Sequence, residues 1–248
     1  MLWDTCNGAQ QIGYLNGTLY RLVESQEQIA TLGYVDTLDE QALLEEMLEN
    51  TKPVYRENLS AYHYLLSTPF RYPPLKWGSR FGGVHEPSIF YAGASVNVTL
   101  AESAYYRFVF WNSMAGTPIK NQIRTEHSLF SVDYQSQQGV SLQQAPFDNY
   151  ADEIASPTQY IQSQQLGSAM RASGVEAFEY PSARDPQQGI CVGLFTARAF
   201  RHKNPENMSQ WLCETAASEV LFKQLGSSVI TSYKLETFLV DAILPMPA

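Results

Sequence analysis

Between residues 78 and 107 the chain runs through a glycine-flanked turn (Gly78-Ser79-Arg80-Phe81-Gly82-Gly83), a short apolar segment ending in Tyr91-Ala92-Gly93, and the aromatic stretch Thr99-Leu100-Ala101-Glu102-Ser103-Ala104-Tyr105-Tyr106-Arg107. The pattern predicts a turn, a strand over Ser88–Ala92 and a helix over Thr99–Trp111, with Asn97 or Thr99 near its cap and Glu102 in its first turn. This passage from strand to helix carries no G-x-G-x-x-G fingerprint, and no G-x-x-x-x-G-K-[ST] loop occurs anywhere in the chain. A nucleotide handled here is therefore not held by a Rossmann turn or a P-loop. What the passage does carry is Arg80, Tyr91 and Glu102 at two successive spacings of eleven.

The rest of the sequence mixes strands and helices without strict alternation, which favours an α+β fold over a doubly wound sheet. Strands are expected at Thr18–Val23, His127–Tyr134, Val175–Tyr180, Gly189–Thr196 and Glu236–Leu244. Helices are expected at Leu38–Leu48, with Asp39 as cap, at Val54–Leu66, at Pro157–Ala172 with Gly174 just past its end, and at Glu214–Leu225. Thr68–Pro74, with three prolines, and Gln135–Pro146, rich in Gln and Ser, read as connections.

Composition narrows the partners. A net charge of −9 opposes binding to phosphate backbones, so direct nucleic-acid binding is not expected. The acids cluster at Asp36, Asp39, Glu40, Glu45, Glu46 and Glu49, either a solvated helix face or a surface for a basic partner. Cys6, Cys191 and Cys213 form no C-x-x-C, so neither a disulfide framework nor a metal site is predicted. No signal-peptide pattern and no apolar run of membrane-spanning length occurs, so the expectation is a soluble cytoplasmic protein with no membrane contact.

A cation, an aromatic ring and a carboxylate suit one chemistry in particular, cleavage of the nicotinamide–ribose bond of NAD. The leaving nicotinamide is already cationic and needs no acid, so the demand falls on the ribosyl oxocarbenium ion. A carboxylate stabilises it, an aromatic ring holds the flat nicotinamide, and an arginine clamps the pyrophosphate through paired N–H groups. Glu102, Tyr91 and Arg80 fit these roles, although each alone also reads as an ordinary helix-end acid, core ring or surface cation. The four histidines, His63, His85, His127 and His202, lie in no hydrolase or metalloprotease motif.

These blocks resemble the RES-domain family. The likeness continues in Gln165-Leu166-Gly167, Arg171-Ala172-Ser173-Gly174-Val175 and Tyr180-Pro181-Ser182-Ala183-Arg184, and the early Leu19-Tyr20-Arg21-Leu22 is similar to the family's opening strand. The resemblance implies one RES-type domain over residues 1–248 with an ADP-ribosyltransferase-like split, mixed β-sheet around an NAD cleft. It implies that Arg21 and Arg80 contact the NAD phosphates or ribose, that Tyr91 packs on the nicotinamide or its ribose, that Glu102 stabilises the oxocarbenium and that Ser182 donates a hydrogen bond nearby. Arg71 competes with Arg21 for its role, and Arg107 and Arg184 are second-rank candidates. The stretch from Arg21 to Arg80 is longer than in compact members, which suggests a helical insertion at about residues 30–70.

The function so implied is that of an NAD glycohydrolase or NAD phosphorylase, the toxin of a toxin–antitoxin pair held by an Xre-type antitoxin. NAD is then a substrate and not a cofactor, with inorganic phosphate as a candidate co-substrate, and homo-oligomers are open. Two alternatives stay open at this level: a protein ADP-ribosyltransferase, and a catalytically silent RES-fold binding module.

Overall fold

The computed structural model describes residues 1–25, 34–54, 59–116 and 118–247. Eight strands form one mixed sheet: β1 (Gly13–Glu24), β2 (Phe90–Gly93), β3 (Gln122–Ser141), β4 (Ala177–Pro181), β5 (Ile190–Leu194), β6 (Glu206–Ala216), β7 (Glu219–Gln224) and β8 (Ile230–Lys234). Their order is β1-β2-β5-β4-β3-β6-β7-β8, and β1 also pairs with β3. That extra pairing closes β1, β2, β5, β4 and β3 into a ring. Among the described strands only β3–β4 is parallel.

The long β3 makes this possible. One edge pairs with β1 from His127 to Gly139, whereas the other is divided, its first half pairing with β6 and its end with β4. The ring encloses a core to which every one of its strands contributes: Leu19, Phe90, Phe130 and Val132, Ala177, and Val192 with Leu194. Phe130 is fully buried there. Phe130→Ala is expected to cost about 3–5 kcal/mol, read as a lowered urea midpoint with unchanged slope.

Among the described residues six α-helices accompany the sheet: α1 (Leu2–Thr5), α2 (Leu38–Thr51), α3 (Tyr64–Arg71), α4 (Val96–Asn112), α5 (Ala151–Ile154) and α6 (Ile161–Ala172). The longest, α4, is capped by Ser95, whose hydroxyl accepts the Val98 N–H. It buries Leu100, Ala104, Tyr105 and Phe108 against Leu129, Trp211, Val220 and Phe222 of the outer sheet. Helix α2 is capped by Thr37, not Asp39, in a reciprocal capping box with Glu40. It buries only Gln41 and leaves Leu38, Leu43 and Met47 exposed. Helix α3, in contrast, places Leu65 and Leu66 in the ring's core. Among the described residues no helix is long and apolar enough to cross a membrane.

Several expected elements differ. The expected helix over Glu214–Leu225 is the β6–β7 hairpin, in which Trp211, Cys213, Thr215, Val220 and Phe222 are buried and the intervening residues are not. That alternation has the strand period and outweighs helix propensity. The expected strand over Glu236–Leu244 is a 3₁₀ turn (Leu235–Phe238) followed by a tight turn bridging Val240 and Ile243, with Asp241 and Ala242 both at positive φ. Of the expected helix over Val54–Leu66, residues 55–58 lie outside the described residues, and the remainder is a 3₁₀ turn at Leu59–Ala61 leading into α3. Helix α3 continues through Pro69 into the stretch expected to be extended, with the N–H that would meet the Leu65 carbonyl absent. Gln135–Ser141, expected as a loop, is the end of β3, since the exposed Gln135, Gln137 and Gln138 are compatible with a strand whose partners are fixed by β1.

Candidate active site

A cavity of about 480 Å³ opens between the ring, α4 and the turn before β2. Its size is that of a small-molecule or dinucleotide site. Helix α4 supplies a stripe, Thr99, Glu102, Ser103, Tyr106 and Arg107, all of which line it. The spacing i, i+3, i+4, i+7, i+8 is one helical face. The helix thus packs its aliphatic and aromatic face against the sheet and turns its polar one to the cavity. Glu102 sits in the second turn because the helix starts at Val96, earlier than the sequence suggests.

The Glu102 carboxylate is held from behind. The Ser182 hydroxyl donates to its Oε1 at 2.5 Å, and the Cys191 thiol lies 3.6 Å from the same oxygen. Ser182 is itself fixed, since its oxygen accepts the N–H groups of Arg184 and Asp185 at 3.1 and 3.0 Å. It is only 3% exposed and is not among the cavity-lining residues. Its place is therefore behind Glu102, where it orients the carboxylate. Ser182→Ala removes a charge-assisted hydrogen bond of a kind that contributes about 1.5–3 kcal/mol, so stability is expected to fall by up to that amount, read as a lowered urea midpoint.

Arg80 stands at the tip of a tight turn, Ser79–Gly82, closed by paired backbone hydrogen bonds. Gly78 enters the turn at φ +76°, a conformation open to glycine, and a Cβ there would stand 2.3 Å from the Gly82 carbonyl oxygen. Two elements pin the turn. The Tyr91 hydroxyl lies 3.0 Å from Ser79 Oγ and accepts the Phe81 N–H at 3.0 Å. Gln164 of α6 donates to the Trp77 and Ser79 carbonyls. So held, Arg80 places its guanidinium 4.6 Å from the centre of the Tyr160 ring and donates to the Ser156 carbonyl at 2.6 Å. Burial opposes its charge, but Tyr160, Glu102, Tyr180 and Tyr106 around it more than offset this and raise its pKa. Of these Glu102 is the anion that faces Arg80 across the cavity.

Tyr91 and Arg21 line the cavity as expected, and the Tyr91 hydroxyl is engaged by the Ser79–Phe81 turn. Burial pushes the Tyr91 hydroxyl up to about 12, so it stays neutral. Arg21 donates to the Tyr91 carbonyl at 2.7 Å and lies over the Phe90 ring at 4.7 Å. Burial lowers its pKa to about 10, and it stays a cation at neutral pH. Arg71 is turned away, paired with Glu49 at 2.6 Å and bonded to the Pro53 carbonyl. Arg184 and Arg107 do line the cavity; Arg184 is stacked 3.6 Å from the centre of the Tyr105 ring. Four of the chain's ten arginines thus line one cavity, against the two carboxylates Glu24 and Glu102, in a protein of net charge −9. This is a focused positive site suited to an anionic ligand.

Sequence reasoning missed Gln164, Tyr160 and Cys191. The first two had a signal: Tyr160, Gln164 and Gly167 follow helical spacing and face the Arg80 turn. Cys191 reads from sequence as a small buried hydrophobe, and it is 2% exposed. Burial, with Glu102 beside it, pushes its thiol well above the ordinary value. In the folded protein Cys191 is expected to resist iodoacetamide at about pH 8; rapid labelling detected by mass spectrometry would contradict the site geometry. Among the described residues no cluster of His, Cys, Asp and Glu is arranged to hold a metal ion.

The model of the RES domain family matches residues 53–226, most of the chain. The chain belongs to the RES-domain family. The matched span includes Arg80, Tyr91, Glu102 and Ser182 and leaves out β1 with Arg21, although β1 completes the RES domain's ring here. A chain from the crystal structure of the M. tuberculosis MbcT–MbcA toxin–antitoxin complex is similar at 12% identity and a TM-score of 0.49, with 84% of this chain and 90% of that one covered. No curated protein matches the sequence.

Proposed function

We propose that this RES-domain protein cleaves the nicotinamide–ribose bond of NAD and acts as the toxin of a toxin–antitoxin pair. The observation that carries the reading is the Glu102 carboxylate, fixed by Ser182 inside an arginine-lined cavity and opposed by Arg80. Family membership supports it.

In this reading the dinucleotide's pyrophosphate lies against Arg80 and Arg184, which keep N–H groups for it beside their own carbonyl contacts. The nicotinamide riboside lies by Glu102, among the rings of Tyr91, Tyr106 and Tyr180. As the C1′–N bond breaks, its electron pair leaves with nicotinamide, which departs neutral, and positive charge develops on the ribose. Glu102, preoriented and partly withdrawn from water, stabilises that charge without reorganisation. Tyr91 acts at one remove, bracing the turn that carries Arg80. Water, phosphate or a protein side chain then captures the ribosyl cation. Phosphate-dependent NAD loss identifies a phosphorylase, and phosphate-independent loss with free ADP-ribose identifies a glycohydrolase.

A toxin of this type is opposed by a protein partner that blocks the cavity, an Xre-type antitoxin by the family resemblance. The test is induced expression in a bacterium with cellular NAD measured over time. The reading predicts a fall in NAD that precedes growth arrest and is absent with Glu102→Gln. Arrest at undiminished NAD would overturn it.

A further inference from the structure

The cavity holds a second group of polar residues that the cleavage chemistry does not use. It lies where Arg107 of α4 meets β1, β3 and β6. Arg107 donates from Nη2 to Thr125 Oγ1 at 2.9 Å and from Nε to Thr215 Oγ1 at 3.3 Å. Thr125 Oγ1 lies 2.8 Å from His127 Nε2. The carboxylate that faces Arg107 is Glu24, 3.5 Å away and 61% exposed. An ion pair of that length and exposure holds little energy.

Two features make this more than a structural tie. First, the nearer partners of Arg107 are neutral hydroxyls, which orient the guanidinium fork without cancelling its charge. Second, His127 is no rival cation: burial, reinforced by Arg107, lowers its pKa to about 4. It is 5% exposed. Arg107, Glu24 and His127 all line the cavity. A fixed, weakly neutralised fork in a cavity wall is the arrangement that recognises a phosphate group.

We propose that the Arg107 end of the cavity is a second anion subsite, one that binds a phosphate group distinct from the pyrophosphate placed at Arg80 and Arg184. Arg107 is five residues beyond Glu102 on one helix, about 7.5 Å along its axis, and both line the same cavity. The group is either free orthophosphate or a phosphomonoester carried by the nucleotide, such as a 2′-phosphate. The proposal deepens the NAD reading, yet its test reads binding and not turnover.

The experiment is calorimetric titration of the whole chain with inorganic phosphate and, separately, with adenosine 2′-monophosphate against adenosine. At least one phosphate-bearing probe is expected to bind, to bind at least about tenfold more weakly to Arg107→Gln, and to be retained by Arg80→Gln. Dependence on Arg107 for inorganic phosphate identifies orthophosphate, and dependence for the nucleotide alone identifies its own phosphate. Glu24→Gln, a change at an exposed position that leaves the fold in place, is expected to tighten binding of that probe. The proposal is overturned if neither probe binds, if binding is lost with Arg80 and kept without Arg107, or if Glu24→Gln leaves it unchanged. A protein that binds phosphate through Arg107 but leaves NAD intact keeps the subsite and loses the cleavage reading. One that cleaves NAD without such binding does the reverse.

Discussion

Glu102→Gln is expected to lower the rate of NAD cleavage by at least about a hundredfold while leaving the melting temperature within a few degrees of wild type. Glutamine has the same shape, and its amide oxygen still accepts the Ser182 hydroxyl that now holds the carboxylate at 2.5 Å. What disappears is the negative charge, and with it the electrostatic stabilisation of a developing cation; loss of a single such contact typically costs about 10²–10³ in rate. The effect should fall on kcat more than on KM, because the carboxylate matters most once the ribose carries charge. A folded Glu102→Gln protein with wild-type turnover would remove Glu102 from the mechanism.

Gly167→Ala is expected to damage both stability and activity, although the residue touches no ligand. A Cβ at this position of α6 would stand 1.9 Å from the Phe81 carbonyl oxygen and 2.6 Å from its carbon. Both are backbone atoms, so no side chain can rotate out of the way. Either α6 or the Arg80 turn must shift. Overpacking of this kind costs about 1–3 kcal/mol. Because Phe81 follows Arg80 directly, the shift also moves the guanidinium, and displacement of a positioning group by about 1 Å can cost on the order of a hundredfold in rate. The neighbouring Gln165→Ala, on the exposed face of the same helix, is the matched control and is expected to change neither. Denaturant midpoints and NAD initial rates for the pair check the prediction; an unaffected Gly167→Ala would mean that α6 does not fix the turn.

Much of the site was legible because it is local. Arg80, Tyr91 and Glu102 lie within a turn, a strand and a helix that the sequence marks clearly, and the structure brings all three to one cavity. The order of the motifs was enough to suggest the family. What could not be read is what long-range pairing decides. The ring closes because β3 extends to Ser141 and pairs with β1 on one edge and with two strands in turn on the other, and nothing local in Gln135–Ser141 announces that. The β6–β7 hairpin was misread for a related reason. Glu214–Leu225 contains good helix formers, but burial of Val220 and Phe222 under α4 sets the period. The contact between Ser182 and Glu102 depends on a similar effect: the motif locates the residue, while only the packing of α4 against the segment before β5 shows that its hydroxyl faces Glu102.

The central claim is that this cavity cleaves NAD, and it is tested most directly by incubating the purified, inhibitor-free protein with NAD and measuring NAD and nicotinamide together, with and without inorganic phosphate. The account predicts nicotinamide released in step with NAD lost in at least one of the two buffers. Undiminished NAD in both, from protein shown by its unfolding transition to be folded, would contradict it.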